Sequence, residues 1–340
     1  MAEGGGRDHG SNYAAAAVEA LGAFGISGDL TLVSISENVT FRVAASDADF
    51  VLRLHRPGYH SLDELDSESL WLDALDSAGI AVPRPLKTLD GRSYVPVSIP
   101  GGDEVRYVGM SRWVDGQVVQ KLAAEDRGSD SAHFAQLGSL MASMHNQAST
   151  WEPPKSFRRH RLDVDGLLGD RPFWGQFWEN PRLSGSEQAI LIETRDRAGE
   201  ILRHYGTDRR TFSMIHADLH LGNLLISQAG DLSIIDFDDA GFGWHQYDIA
   251  VALFHSRDEL AFDGAEEIFL DAYRTVRPIA DADLALVPMF EMIRSMALIG
   301  WTAQRLELNW PDATLDAMTA QTIGLCTRFT PPPLPLPPGN

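Results

Sequence analysis

Lysine is almost missing from this chain. Of its 28 basic residues only Lys87, Lys121 and Lys155 are lysines, set against 48 acidic residues and a formal net charge of −20. Binding to nucleic-acid phosphates depends on clustered cations, so this balance argues against DNA or RNA as a partner. Cysteine is represented by Cys326 alone. That excludes an internal disulfide and a cysteine metal cluster, and it makes a reducing cytoplasm the expected compartment. No stretch has the uninterrupted apolar length of a membrane helix, and the opening MAEGGGRDHGSN is polar and glycine-rich, unlike a secretory signal. The expectation is a protein with no membrane partner. Both glycine-rich nucleotide fingerprints, G-x-G-x-x-G and G-x-x-x-x-G-K-[ST], are also missing, which excludes a P-loop enzyme.

What remains describes an ordinary globular chain: 340 residues, 44% hydrophobic and 22% charged, enough for two lobes with separate cores. Residues 1–10 read as disordered, and the alanine-rich stretch 13–24 predicts a helix closed by Gly25. Three strands are expected at 30–35, 39–44 and 50–55, joined by short polar links as in an antiparallel sheet. Alternation on the third puts Phe50, Leu52 and Leu54 on one face and Val51 and Arg53 on the other. A helix follows at 62–77, its apolar stripe of Leu65, Leu72 and Leu75 interrupted by Glu68, an inward carboxylate that needs a partner. More strand-like sequence occupies 93–98 and 104–113. The remainder reads as helical, at 131–148, 187–205, 245–256, 266–275, 283–306 and 313–327, before a polyproline-like tail, PPPLPLPPGN. Trp174 and Trp178, four apart, read more readily as packing residues than as a ligand surface.

The stretch with the most chemistry is FSMIHADLHLGNLLISQAGDLSIIDFDDAGFG, residues 212–243. Apolar runs at 224–227 and 232–235 flank a Gln-Ala-Gly-Asp turn, which predicts a hairpin. A hairpin brings its ends together, so Asp218 and Asn223 before it and Asp236 after it converge on one small volume. Three oxygen donors there suit a hard cation such as Mg²⁺. His216 and His220 are also four apart, but a zinc reading is poor because no metalloprotease glutamate lies between them.

His216-Ala217-Asp218 with Asn223, followed by Ile235-Asp236-Phe237-Asp238-Asp239, resembles the catalytic core of the aminoglycoside phosphotransferase and choline kinase family, in its homoserine-kinase-like and stress-response-kinase-like branch. The resemblance implies an α+β, bilobal protein-kinase-like fold with a small antiparallel-sheet N-lobe and a larger, mainly helical C-lobe. On that pattern residues 11–112 form the N-lobe, 113–328 the C-lobe and 329–340 a proline-rich tail. It further implies ATP and Mg²⁺ as cofactors, Asp218 as the base toward a substrate hydroxyl, and Asn223, Asp236 and Asp238 as metal ligands. Arg53 takes the position of the usual phosphate-anchoring lysine, with Glu68 as its partner, and Val51 that of the adenine roof. Ser36 and Asn38 fall in a phosphate-covering loop without glycine, and Ser111 and Trp113 in the hinge. Asp248 is placed to brace the catalytic loop through backbone N–H groups.

The function so implied is an ATP-dependent phosphotransferase acting on a small-molecule hydroxyl of an amino alcohol, a homoserine-like compound, a sugar or an aminoglycoside. The acidic composition would suit a cationic acceptor. Two alternatives stand beside it: a protein Ser/Thr kinase of the stress-response type, and a nucleotide-binding pseudokinase in which Arg53 marks a lost anchor.

Overall fold

The computed structural model describes residues 5–125, 130–256 and 264–332. The first four residues and the end of the proline-rich tail lie outside that set. The chain forms two compact units. Unit 1 takes the chain up to Gly116 together with two later segments, Glu152–Arg159 and Leu225–Ile235, and unit 2 takes the rest.

Unit 1 is built on a five-stranded antiparallel sheet in the order β1-β2-β3-β5-β4, comprising β1 (Gly28–Ile35), β2 (Val39–Ala45), β3 (Asp49–Leu54), β4 (Tyr94–Ser98) and β5 (Val105–Arg112). Helix α1 (Gly5–Phe24) lays Ala16, Ala17, Ala20, Leu21 and Phe24 on one face of it, against Val43, Phe50, Leu52 and Val97. The helix begins well before the alanine run, so residues 5–10, expected to be disordered, are helical. Period-2 alternation holds on β3, where Phe50, Leu52 and Leu54 are buried and Val51 and Arg53 turn to the other face.

Helix α2 (Leu62–Ser77) matches its predicted bounds, because both ends carry strong local signals. Ser61 and Glu64 form a reciprocal capping box, with Ser61 N–H donating to Glu64 Oε2 at 2.9 Å, and Gly79 beyond the far end takes φ +81°. Leu65, Glu68, Trp71, Leu72 and Leu75 face inward. The segment Glu152–Arg159 fastens this helix. Arg158 N–H donates to Ser67 Oγ at 2.7 Å, and Arg159 Nη1 lies 3.3 Å from both the Glu64 carbonyl and Glu68 Oε2. The Glu68–Arg159 pair is buried.

The predicted hairpin is present as β9 (Leu224–Ile226) and β10 (Leu232–Ile234), with Gly230 at φ +91° in the turn and Ile234 N–H bonded to Ala81 C=O at 3.0 Å. Earlier in the chain come the short β6 (Gln117–Val118) and β7 (Arg161–Leu162), and β8 (Phe212–Ile215) leads into the hairpin.

Unit 2 is mainly helical. Its principal helices are α4 (Asp130–Thr150), α6 (Gly185–Tyr205), α7 (His245–Ser256), α8 (Ala265–Val276), α10 (Val287–Ala303) and α11 (Asp312–Arg328), with shorter α3 (Val119–Glu125), α5 (Val164–Leu168) and α9 (Asp281–Leu284). A small sheet, β7-β11-β8, is completed by β11 (Gly241–Trp244), antiparallel to β8 and parallel to β7. Helices α4 and α8 pack so closely at Gly138 that a Cβ there would meet the Phe269 carbonyl oxygen at 2.4 Å. The stretch Asp281–Ala303 is long and apolar enough by composition to cross a bilayer, yet 72% of its apolar window is buried within the protein, as in a core helix.

At the centre of unit 2 lies a buried polar chain that sets the loop after β8. Asp248 on α7 is fully buried. Its carboxylate accepts from His216 N–H at 3.0 Å and Ala217 N–H at 2.6 Å, and His145 Nε2 lies 3.0 Å away. Burial, helped by the charge of Arg277, holds the His145 ring well below the usual imidazole range, so the ring is neutral. A neutral ring that donates from Nε2 to Asp248 must accept at Nδ1, where the Tyr273 hydroxyl sits at 2.8 Å. His145 also stacks on His245, at 4.3 Å between centroids, and His245 Nε2 reaches Ser213 Oγ at 2.8 Å.

Two stability predictions follow from these buried groups. Arg159→Met leaves Glu68 without its buried partner and should lower the unfolding free energy by about 3 kcal/mol in urea titration. Burial pushes the Asp248 carboxyl up to about 6, against the pull of His216 and the two loop N–H groups. Protonation of Asp248 therefore favours the folded state, and this contribution is complete below pH ~4 and lost as pH rises through the folded value. The difference in urea midpoint, wild type minus Asp248→Asn, isolates this group from the buried histidines and should fall as pH rises across that window.

Candidate active site

Strand β8 ends at the loop His216-Ala217-Asp218. Ala217 is forced to φ +67°, a left-handed conformation that an alanine adopts only when its surroundings hold it there. The holder is the Asp248 carboxylate described above, which occupies the N–H groups of His216 and Ala217. The loop then closes through a single 3₁₀ turn, Leu221–Asn223, capped by His220, whose Nδ1 accepts from Gly222 N–H at 3.0 Å.

That turn returns Asn223 to Asp218. Its Nδ2 donates to the Asp218 carbonyl at 2.8 Å and to Asp218 Oδ2 at 3.1 Å. Both bonds use the amide nitrogen, so they fix which way the amide faces and leave Oδ1 as the atom available to a cation. The other carboxylate oxygen of Asp218, Oδ1, accepts from Arg294 Nη2, and His220 Nε2 stands 3.7 Å from Oδ2. Burial alone would raise the Asp218 carboxyl. The charge of Arg294, then the hydrogen bond and charge of His220, hold it well below the usual carboxylate range. Asp218 is thus ionised throughout the neutral range.

The second acidic motif lies in the same unit. The His216 ring packs on Phe237 with centroids 4.6 Å apart, which draws the two motifs together. Asp236 sits at φ +67°, so two of the three described non-glycine residues with positive φ fall in these motifs. Asp236 is exposed and Asp238 buried. Asp236, Asp238 and the Asn223 amide all offer oxygen, the donor type that a hard divalent cation requires. A second cluster, Asp218 with His220 and His255, places one ligand atom from each within 4.8 Å of the others. It is a poor cation site, because Arg294 Nη2 already lies 3.2 Å from His255 Nε2 and brings its own positive charge.

The other candidate residues belong to unit 1. Arg53 and Val51 share the half-buried face of β3. The charges of Glu68, Arg159 and Arg53 all act on the buried Tyr94 hydroxyl, so the three side chains gather in one region. Arg159 is the partner that meets Glu68 across a hydrogen bond, and sequence reasoning assigned that place to Arg53 alone. In the glycine-free loop Ser36 N–H donates to Asn38 C=O at 3.1 Å, and Asn38 Oδ1 accepts from Arg56 N–H at 2.9 Å. Ser111 lies opposite Val51 in the sheet and bridges to Pro85. Trp113 N–H donates to Asp49 C=O at 3.0 Å, so the hinge donor expected there is already engaged within the sheet.

Arg294 and Arg159 are the site residues that sequence reasoning did not single out. Arg294 carried a usable signal: with Glu291 it is one of two charges on a mostly apolar helix, the same kind of interruption that marks Glu68. Arg159 lies in the irregular run RRHR, where no periodicity tells one arginine from the next. Trp174 and Trp178 are both buried, in keeping with packing roles.

Comparison with known proteins agrees with this geometry. The profile of the phosphotransferase enzyme family matches residues 30–282. Among solved structures, the microcompartment-associated aminopropanol kinase is 30% identical with a TM-score of 0.76, covering 91% of this chain and 94% of that one. An amicoumacin kinase in complex with AMP-PNP and Ca²⁺ has the same TM-score, 0.76, at 20% identity, covering 97% and 98% of the two chains. The homoserine kinase of Methylobacillus glycogenes is 26% identical over 286 residues, 81% of this chain and 79% of that protein. The chain belongs to the phosphotransferase enzyme family, and it is an ATP-using kinase of the protein-kinase-like fold that acts on hydroxyl substrates.

Proposed function

We propose that this kinase transfers the γ-phosphoryl group of Mg–ATP to a hydroxyl of a small molecule, with Asp218 as the residue that receives and orients that hydroxyl. The observation that carries the reading is the pinned Asp218 carboxylate, bonded to Asn223 on one oxygen and facing Arg294 on the other, in a loop held by Asp248. Phosphoryl transfer asks little covalent chemistry of a protein and much positioning and charge stabilisation. A hydroxyl donating to Asp218 would be aimed at the γ-phosphorus, its proton passing to a carboxylate oxygen as the new P–O bond forms and the bond from the γ-phosphorus to the bridging oxygen breaks, with ADP leaving.

Asn223, Asp236 and Asp238 fit Mg²⁺ by donor type and would hold it, and that ion neutralises charge on the phosphates when bound. Arg53 is the candidate anchor for the nonreacting phosphates. Its planar fork binds phosphate in two-point fashion where a lysine acts as a point charge. The AMP-PNP and divalent cation bound by the amicoumacin kinase support these assignments. The relatives that act on aminopropanol and homoserine support a small amino alcohol or hydroxy amino acid as the acceptor.

One feature of the chain path favours a small acceptor over a protein substrate. After Asp236 only residues 237–244 precede α7, and β11 occupies the last four of them. Protein kinases place a long activation segment with an A-P-E motif between those points to bind a peptide.

Activity against ethanolamine, 1-amino-2-propanol, homoserine, sugars, aminoglycosides and a mixed-protein sample, read as ADP release and labelled product, tests this. Transfer to a small hydroxyl is expected. Exclusive labelling of protein, or Mg–ATP binding with no transfer or slow hydrolysis, would support the protein-kinase or pseudokinase alternative instead. Asp218→Ala should lower kcat by about 10³-fold or more while changing Mg–ATP affinity less than about threefold; undiminished turnover would sink the mechanism. Arg53→Met should raise KM for ATP by about tenfold or more, with Arg53→Lys intermediate.

A further inference from the structure

We propose that Arg294 is a positioning residue for phosphoryl transfer, acting through Asp218. The inference rests on the reading that Asp218 meets the acceptor hydroxyl.

Helix α10 buries most of its length, and its inward residues include Met289, Phe290, Met292, Ile293 and Met296. Arg294 lies among them at 5% exposure. A buried ion pair is weak evidence for stability, because well-packed apolar residues of similar size usually serve the fold as well or better. A guanidinium kept in such a helix calls for another explanation, and its contacts supply one. Nη2 donates to Asp218 Oδ1 and lies 3.2 Å from His255 Nε2. His255 is held neutral, its pKa lowered to about 3 by burial and then by the charge of Arg294, so it offers a lone pair without competing as an anion. The Trp174 ring lies 5.8 Å from the guanidinium carbon, and the Tyr247 hydroxyl is also close enough to act on the Arg294 charge. The guanidinium is therefore itself held on several sides.

A fixed guanidinium fixes what it binds. One oxygen of Asp218 is tied to Arg294 and the other to Asn223 Nδ2 at 3.1 Å. Two donors from different parts of unit 2 leave the carboxylate no free rotation about its last bond. The lone pairs that remain have set directions, and an incoming hydroxyl must align with them. Small errors of placement at a reacting centre reduce rate steeply, so removing Arg294 should act on the chemical step rather than on nucleotide binding. A lysine at this position keeps the charge but loses the planar fork, and restores the function only in part.

The test is a double-mutant cycle between Arg294 and Asp218. Its readouts are phosphoryl transfer to 1-amino-2-propanol and to L-homoserine, together with ATP hydrolysis to water, which needs no acceptor. Arg294→Met should lower kcat by about 30-fold or more with KM for Mg–ATP within about threefold of wild type, and Arg294→Lys should fall between. Added to Asp218→Asn, Arg294→Met should bring no further loss, as expected when one residue acts only through the other. Wild-type kcat in Arg294→Met, or a full further loss in the Asp218→Asn background, overturns the proposal. If Arg294→Met does not fold, the Lys variant carries the test, and an unchanged kcat in it counts against the proposal. Full activity in Asp218→Ala would instead overturn the mechanism on which the inference rests.

Discussion

A single buried carboxylate, that of Asp248, holds the catalytic loop in its conformation. Two consecutive backbone N–H groups, those of His216 and Ala217, point into the interior where water cannot satisfy them, and Ala217 stands in a left-handed conformation that has no intrinsic appeal for an alanine. Asp248 answers both N–H groups at once. It can do so because α7 begins directly after β11, and β11 pairs with β8, the strand that enters the loop. The neutral His145 behind it adds a donor without adding charge. Strain at Ala217 is thus paid for by a polar network whose members sit on three different elements, and the direction of Asp218 follows from it.

Positive charge in this protein is rare and placed with care. A chain with a formal net charge of −20 buries Arg106, Arg159, Arg294 and Arg305 among its described residues, and two of these meet a carboxylate of α2 or of the catalytic loop: Arg159 on Glu68 in unit 1, and Arg294 on Asp218 in unit 2. Arginine suits both, because its charge survives burial and its fork fixes orientation as well as distance. The overall acidity therefore says little about the immediate surroundings of Asp218, where Arg294, the Asn223 amide and the imidazoles of His220 and His255 gather.

Much of this could be read from the residues alone, and the limits have physical causes. Helix α2 was legible to its last residue because a capping box opens it, a glycine closes it and a leucine stripe runs between. The hairpin and its flanking acids were legible because turn chemistry and alternation are local. The start of α1 was not: residues 5–10 are Gly-Gly-Arg-Asp-His-Gly, three glycines and one good helix former, and only the helix that follows accounts for their conformation. Arg159 and Arg294 were missed for a related reason. Their partners are 91 and 76 positions away in sequence, a separation at which no local pattern reports contact. Glu68 announced that it needed a partner; it could not say which.

The composition of unit 1 bears on how the chain is made. Its sheet and α2 come from the first part of the sequence, but the clamp on α2 arrives with Glu152–Arg159 and the hairpin with Leu225–Ile235. The unit therefore cannot reach its final contacts until synthesis has passed residue 235, although most of it has emerged long before. Glu68 waits without Arg159 until residue 159 has been made, and the sheet domain stays unfinished while residues 117–151 and 160–224 of unit 2 are synthesised. A fragment cut at the apparent end of the N-terminal sheet would be an incomplete domain. The natural unit of folding here is the interleaved chain, because unit 1 is assembled from three separate stretches of the sequence.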